Sequence, residues 1–380
     1  MIKRDIFKST NVMHNILRYR VVLFLTLVIA FSGCRKIFDL PDEKDYLSTK
    51  MTYGITEFPA TLGRTNLFSG VFNPDNSSYP MTFEIINPRF GDGRSAEDML
   101  TMKPVLVWTK EYTGFETSLA EIEAKRKLED HPIVEVRKNS GDIIVWNTAT
   151  SEIFKPRDSI TYPQDVRYFD MKVKNSGGTR IIKNLSITPW REVPYYPADD
   201  INRYSGKPNT TTPNGSTLVH NYPTIFGMIG EGTNVELEAN GGGQRGVVYT
   251  YIRKVPGGSG NSLRFKFLDK DSVAINPAKF NETKWDQLVH GFNMEKTNEY
   301  VKFEVAYPIP VANIPTRFTA GGANSNVGGS LAHVEFVYSR MGFQGLREQG
   351  AIIQNFAIFE KGDWEVVFHF KTVNPKFEDE

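Results

Sequence analysis

The 380-residue chain holds a single cysteine, Cys34, and six histidines, and these are the side chains from which covalent or metal chemistry would have to be built. With no second thiol there is no internal disulfide to form, so the Cys34 sulfur is available for modification. His14 sits ahead of the longest apolar run. His131, His220, His290, His333 and His369 each stand more than four residues from the next histidine, so no zinc-ligand spacing appears and no metal is expected. His333 and His369 fall in strand-like runs and are expected at the surface. The run Gly241-Gly242-Gly243-Gln244-Arg245-Gly246 lacks the Lys-Ser/Thr of a phosphate loop and leads into VVYTYI, a strand pattern, so a hairpin turn is expected there. Gly257-Gly258-Ser259-Gly260 misses the nucleophile-elbow spacing by one residue. Asn73-Pro74-Asp75-Asn76 and Asp269-Lys270-Asp271 carry oxygen ligands without the full calcium-loop pattern and read as solvated turns. No carboxylate pair is identifiable by spacing, so no catalytic residue is assigned and no cofactor is expected.

Aromatic residues are the more informative class. Trp190, Tyr195, Tyr196 and Tyr204 lie in a proline-rich stretch, where a flat ring held in irregular backbone could stack on the C–H face of a sugar or pack at a junction between domains. Trp108 and Trp146 end apolar runs, VLVW and IIVW, and are expected in the core.

The elements that must position these residues are mostly strands. Met81, Phe83 and Ile85, then Phe169, Met171 and Val173, alternate with polar residues, as do Leu263, Phe265 and Phe267; Val301, Phe303, Val305 and Tyr307; and Ala332, Val334, Phe336 and Tyr338. A last strand spans Trp364 to Phe370. Turn signals, Asn139-Ser140-Gly141-Asp142 and Asn175-Ser176-Gly177-Gly178, separate several of them. One helix is predicted over TSLAEIEAKRKLE, with Ser118 and Glu121 as a capping box, ending near Asp130 and laying its apolar stripe on a sheet.

This pattern predicts a mainly all-β chain of two β-sandwich domains. Residues 51–190 would form an immunoglobulin-like sandwich with the helical insertion, residues 191–222 a linker, and residues 223–380 a sandwich or jelly-roll. Residues 34–50 are charged and weakly patterned, as suits a tether. Ahead of them, Lys3, Arg4, Lys8, Arg18 and Arg20 precede VVLFLTLVIAF, Val21 to Phe31. As a helix that run reaches roughly 16 Å, about half of a bilayer's hydrocarbon core, so residues 1–33 read as a removable leader rather than a span. The leader carries five of the 45 basic and one of the 44 acidic side chains, leaving 40 basic and 43 acidic. A chain so balanced offers no electrostatic ground for a nucleic-acid partner.

Basic residues, an apolar run, then Phe31-Ser32-Gly33-Cys34 resemble a bacterial lipoprotein signal, in which the cysteine after the cut carries the lipid. Several acyl chains, at about 0.8 kcal/mol per buried CH₂, hold a folded domain on a bilayer where one would not. With the tether and the aromatic-ended strands such as FAIFEKGDWEVVFHF, the whole chain is similar to outer-membrane lipoproteins of Bacteroidetes encoded near SusC/SusD-type uptake systems. The resemblance implies lipidation at Cys34, a membrane partner through that anchor, and a non-catalytic role in binding a glycan ligand or assisting a SusC/SusD-type complex. A glycan-active hydrolase or lyase on the C-terminal β-domain, and a structural or adhesive lipoprotein, remain open alternatives. Arg35 and Lys36 stand ahead of Asp39, Asp42 and Glu43, which leaves both the cell surface and the periplasmic face open. Two tripeptides, Asp158-Ser159-Ile160 and Asp271-Ser272-Val273, resemble the O-glycosylation acceptor of that phylum's envelope proteins.

Overall fold

Strands form wherever apolar residues recur at every second position, because only that backbone sends them all to one face. The computed structural model describes residues 44–157, 165–212, 214–321 and 328–380; Cys34, residues 1–33 and Asp158-Ser159-Ile160 lie outside the described residues. The first half of the chain supplies β1 (Thr52–Tyr53), β2 (Glu57–Thr61), β3 (Asn66–Phe68), β4 (Phe72–Asn73), β5 (Thr82–Phe90), β6 (Met102–Trp108), α1 (Leu119–Glu123), β7 (Arg126–Pro132), β8 (Val134–Val136), β9 (Ile143–Val145), β10 (Arg167–Asn175) and β11 (Gly178–Trp190). The second half supplies β12 (Tyr195–Tyr196), β13 (Thr224–Phe226), β14 (Val248–Lys254), β15 (Ser262–Leu268), β16 (Gly291–Lys296), β17 (Tyr300–Val305), β18 (Ala332–Met341), β19 (Arg347–Ile358) and β20 (Asp363–Phe370). The molecule is mainly β, with its strands in several sheets.

In the first half, the sheet β2-β11-β10-β5, with β2 parallel to β11, faces the sheet β3-β9-β8. Phe58, Phe169, Met171, Val173, Ile143 and Val145 are fully buried in one apolar cluster. In the second half, the mixed sheet β14-β20-β15-β17-β16 contributes to a second cluster together with β18 and β19; in it Phe265, Phe267, Phe303, Phe336, Phe356 and Phe368 pack mostly edge to face, with Phe267 and Phe368 stacked. Strand β20 is buried on both faces: Trp364, Val366, Phe368 and Phe370 enter the phenylalanine cluster, and on the other face Glu365 and His369 are covered by Arg253, Arg264, Tyr251 and Ser272.

The turn Asn175-Ser176-Gly177-Gly178 joins β10 to β11 as expected, and it also anchors the start of the described chain. The Asp45 N–H donates to Ser176 Oγ at 2.9 Å, and a Cβ on Gly177 would come within 1.8 Å of the Asp45 carbonyl oxygen, so only glycine fits. The far part of the expected tether is therefore bonded to the sheet end. Ser48 continues it, buried, with its N–H on Ser77 Oγ.

Residues 117–130 depart from the expected helix. Ser118 Oγ does accept the Glu121 N–H at 3.1 Å, but the helix is only Leu119–Glu123, and Arg126–Pro132 is strand β7. The only aliphatic side chain of residues 126–131 is Leu128, which is exposed, so no hydrophobic alternation marks the strand, and pairing with β6 supplies its backbone bonds. Helix α1 sits at the tip of that β6–β7 ribbon. Its Ile122 does not face the sheet of the first half: it packs with Tyr112, Ala306 and Val311, so the ribbon bridges the two halves. Arg126 Nη1 donates to the Tyr307 carbonyl at 2.7 Å in the same contact. Among the described residues no helix is long and apolar enough to cross a membrane, which says nothing of a β-barrel.

Candidate functional site

The segment 191–222, expected as a linker, is laid against the second half by specific bonds. Tyr195 and Tyr196 pair with Ile358 and Ala357 of β19, which buries the Tyr195 ring edge-on to Trp364 with centroids 6.1 Å apart. The Tyr195 hydroxyl donates to Asp200 Oδ2 at 2.9 Å, and burial together with that carboxylate pushes the phenol pKa far up, so it stays a donor. Asn221, 1% exposed, fixes the other side. Its carbonyl accepts the Thr250 N–H of β14, its Oδ1 accepts the Asp199 N–H, and its Nδ2 donates to Asp200 Oδ1 at 2.9 Å.

Alternation along β14 buries Val248, Thr250 and Ile252 and leaves Tyr249 and Tyr251 on the opposite face. His220 stacks on Tyr249 with centroids 4.0 Å apart and planes 18° from parallel, while Tyr222 meets Tyr249 edge-on. Tyr251 lies next to His220 on one side and His369 on the other. Burial raises the phenol pKa values of Tyr222 and Tyr251, and burial lowers that of His369, so all three are neutral at physiological pH. Between this aromatic row and the segment 200–219 is a cavity of about 300 Å³, lined by Tyr195, Asp200, Ile201, Pro208, Leu218, His220 and Tyr251.

Such a cavity suits a ring with a C–H face and a hydroxyl rim. The aromatic and aliphatic side chains take the face. A carboxylate has about four acceptor positions. Asp200 uses two of them among the described residues, so about two remain for ligand hydroxyls.

Of the residues singled out from sequence, Tyr195 lines this cavity, but as a core residue 9% exposed rather than a free stacking face. Tyr196 points outward from the same strand at 47% exposure. Trp190 ends β11, with the Arg203 guanidinium 3.8 Å and the Arg157 guanidinium 5.1 Å from its ring centre and Tyr204 edge-on at 5.4 Å. Trp190 and Tyr204 thus form a separate cluster beside the cavity. Trp108, expected in the core, is exposed at the end of β6, because its face of the two-stranded ribbon has no covering sheet. Trp146 is half-buried and donates to Glu135 Oε2. His369, expected at the surface, is buried, because β20 is covered on both faces. His220 stands in the sequence only as one of six dispersed histidines, and nothing there groups it with Tyr249 and Tyr251. The signal was present in VVYTYI, where two tyrosines two apart must share a strand face, but His220 joins them only through the fold.

A second cavity, of about 20 Å³, lies where Tyr112 and His290 meet Val305, Val311 and Phe318, and has room for about one water. Among the described residues no group of three or more His, Cys, Asp or Glu could hold a metal ion. Asp269 Oδ1 instead accepts the N–H groups of Asp271 and Val273, and Asp75 Oδ2 accepts the Ser48 hydroxyl, so both oxygen-rich loops bond internally. Residues 72–379 match the family described as a domain of unknown function, DUF5007. No curated protein and no solved structure matches the chain.

Proposed function

The chain belongs to the DUF5007 family, and from that premise we propose that it is a non-catalytic lipoprotein of the cell envelope that binds a glycan in the Asp200–Tyr251 cavity. The observation that carries this reading is the pairing of an aromatic wall, His220 and Tyr251, with a carboxylate that keeps acceptor positions open. The order of residues 1–34 supports an outer-membrane address with the lipid on Cys34, and supports an accessory place in a SusC/SusD-type uptake complex, on either the surface or the periplasmic side. Two apolar clusters, 51–187 and 195–370, support the finer architecture: two β-sandwiches, the first immunoglobulin-like with the β6–β7 ribbon inserted, the second a sandwich or jelly-roll.

Affinity electrophoresis of the full chain against a polysaccharide panel tests the binding role. Retardation without product is expected, with Tyr251→Ala weakening it about tenfold, the worth of one good aromatic contact. Release of reducing ends or unsaturated products would instead establish the hydrolase or lyase, and no retardation by any polymer would leave the structural or adhesive role. Mass spectrometry of the native protein should find acyl chains on Cys34; an unmodified thiol would overturn the address.

A further inference from the structure

At the Trp190–Tyr204 cluster beside the cavity stand Arg191 and Arg203, with Arg64 near enough to feel the charge of Arg203, and none of the three is ion-paired among the described residues. Arg64 has its guanidinium 4.7 Å from the centre of the Phe359 ring and donates from Nη2 to Thr61 Oγ1 at 2.9 Å. Arg203 lies over Trp190, and Arg191 donates from Nε to the Tyr204 carbonyl at 2.9 Å. No carboxylate comes within ion-pair distance of any of the three among the described residues. The acid next in sequence to Arg191, Glu192, is taken by the N–H and hydroxyl of Ser151. Each guanidinium carries five donors. Among the described residues one is used on Arg64, one on Arg191 and none on Arg203. Burial lowers the pKa of Arg64, and the charge of Arg203 adds to it, which places those two guanidiniums near each other.

Arg191 shares a wall with the cavity. Gly206 lines the cavity, and a Cβ added to it would stand 2.9 Å from Arg191 Cδ, so the arginine lies directly behind that wall. Arg203 and Tyr204 belong to the same turn, closed by the Asn202 N–H on the Lys207 carbonyl.

We propose that Arg64, Arg191 and Arg203 form an anion subsite at the rim of the cavity, which takes the carboxylate or sulfate group of an acidic glycan. This rests on the cavity being a glycan site. Planar forked donors match carboxylate and sulfate oxygens two at a time, and Trp190 beneath Arg203 holds one fork in place.

The test is affinity electrophoresis of the full chain in two matched pairs: polygalacturonate with its methyl ester, and dextran sulfate with dextran. The charged member of one pair is expected to retain the protein more strongly than its neutral counterpart, and which pair does so separates carboxylate from sulfate. Arg203→Gln and Arg191→Gln should each reduce that retention about tenfold while leaving neutral polymers unaffected. Equal retention of charged and neutral members, or an equal loss in Lys207→Gln, which lies in the same turn outside the cluster, would overturn the proposal. Tyr251→Ala separates the two readings: if it leaves retention intact while Arg203→Gln abolishes it, the cavity reading fails and the subsite stands. Should the protein bind no polymer, sodium sulfate titrated against tryptophan fluorescence decides, with Trp190→Phe as the blank and sodium chloride at matched ionic strength as control. A saturable change lost in Arg203→Gln keeps the subsite, and no such change overturns it.

Discussion

His290 shows what one side chain does when two distant stretches close on it. Its Nε2 reaches the Glu116 carbonyl at 2.8 Å, an acceptor only, so Nε2 carries the proton and Nδ1 accepts the Tyr112 hydroxyl at 2.5 Å. Phe318 stacks on the ring with planes 10° from parallel, Phe292 packs against it, and burial lowers the pKa; Arg317 adds to that, while Glu116 and Glu121 oppose it. A histidine kept neutral in the native state contributes stability above its unfolded pKa, about 6.5, and loses it as pH falls below that value, because the unfolded chain then takes up the proton first. The melting temperature should therefore hold from pH 8 to about 7 and fall toward pH 5. His290→Gln should flatten part of that fall, and His369, whose pKa burial also lowers, acts in the same direction. Unchanged slopes in both variants would refute the assignment. Glu116 is the counterpart: burial pushes its carboxyl up, but hydrogen bonds from Lys125, Thr113 and Gly114 outweigh it and hold the pKa at about 2. Glu116→Ala should cost about 3 kcal/mol in urea unfolding, since it leaves Lys125 without its partner. None of this was legible in the sequence, where His290 and Glu116 are 174 residues apart and each looks ordinary.

At the scale of elements, the pattern was readable wherever a strand has one wet face. Strands β5, β10, β15, β17 and β18 follow their alternation, and the Asn-Ser-Gly turns at 139–142 and 175–178 each close a hairpin, β8 with β9 and β10 with β11. Reading failed where no hydrophobic period marks the strand. Arg126–Pro132 has charges spaced for a helix and no alternating apolar face, and the choice was made by β6 pairing beside it, a contact the local sequence does not encode. Strand pairing also explains how the phenylalanine cluster is assembled: Phe336 of β18 touches Phe265 and Phe267 of β15, Phe280, and Phe368 of β20, drawn from three other stretches. Phe336→Ala should cost about 3–5 kcal/mol, seen as a lower urea midpoint with an unchanged slope. A loss under 1 kcal/mol would mean that the cluster repacks freely.

For the molecule as a whole, two attachments join the halves besides the contact of Arg64 with Phe359. The chain itself crosses once, between β11 and β12, and the β6–β7 ribbon crosses separately to seat Ile122 against Ala306 and Val311. Calorimetry should show one cooperative transition for the intact protein. Ile122→Asp places a charge in that contact and should resolve the trace into two transitions, one for each apolar cluster; a single transition in the variant would show that the ribbon is not what couples them. The candidate site was only half legible at this scale. The proline-rich segment was picked out by its composition, but the wall facing it comes from β14, about thirty residues on, and the three arginines come from stretches that only folding brings together.

The double crossing also sets a mechanical limit. A single strand of backbone would let one half swivel about the other like a ball joint, whereas two attachments a ribbon's length apart make a braced elbow. Strand β11 runs from the turn that fastens Asp45 to the residue where the second half begins, thirteen residues or roughly 40 Å at strand rise. Whatever grips the protein near Asp45 therefore presents the sugar-sized cavity at a set stand-off and a set aim, instead of letting it sweep through the surrounding space.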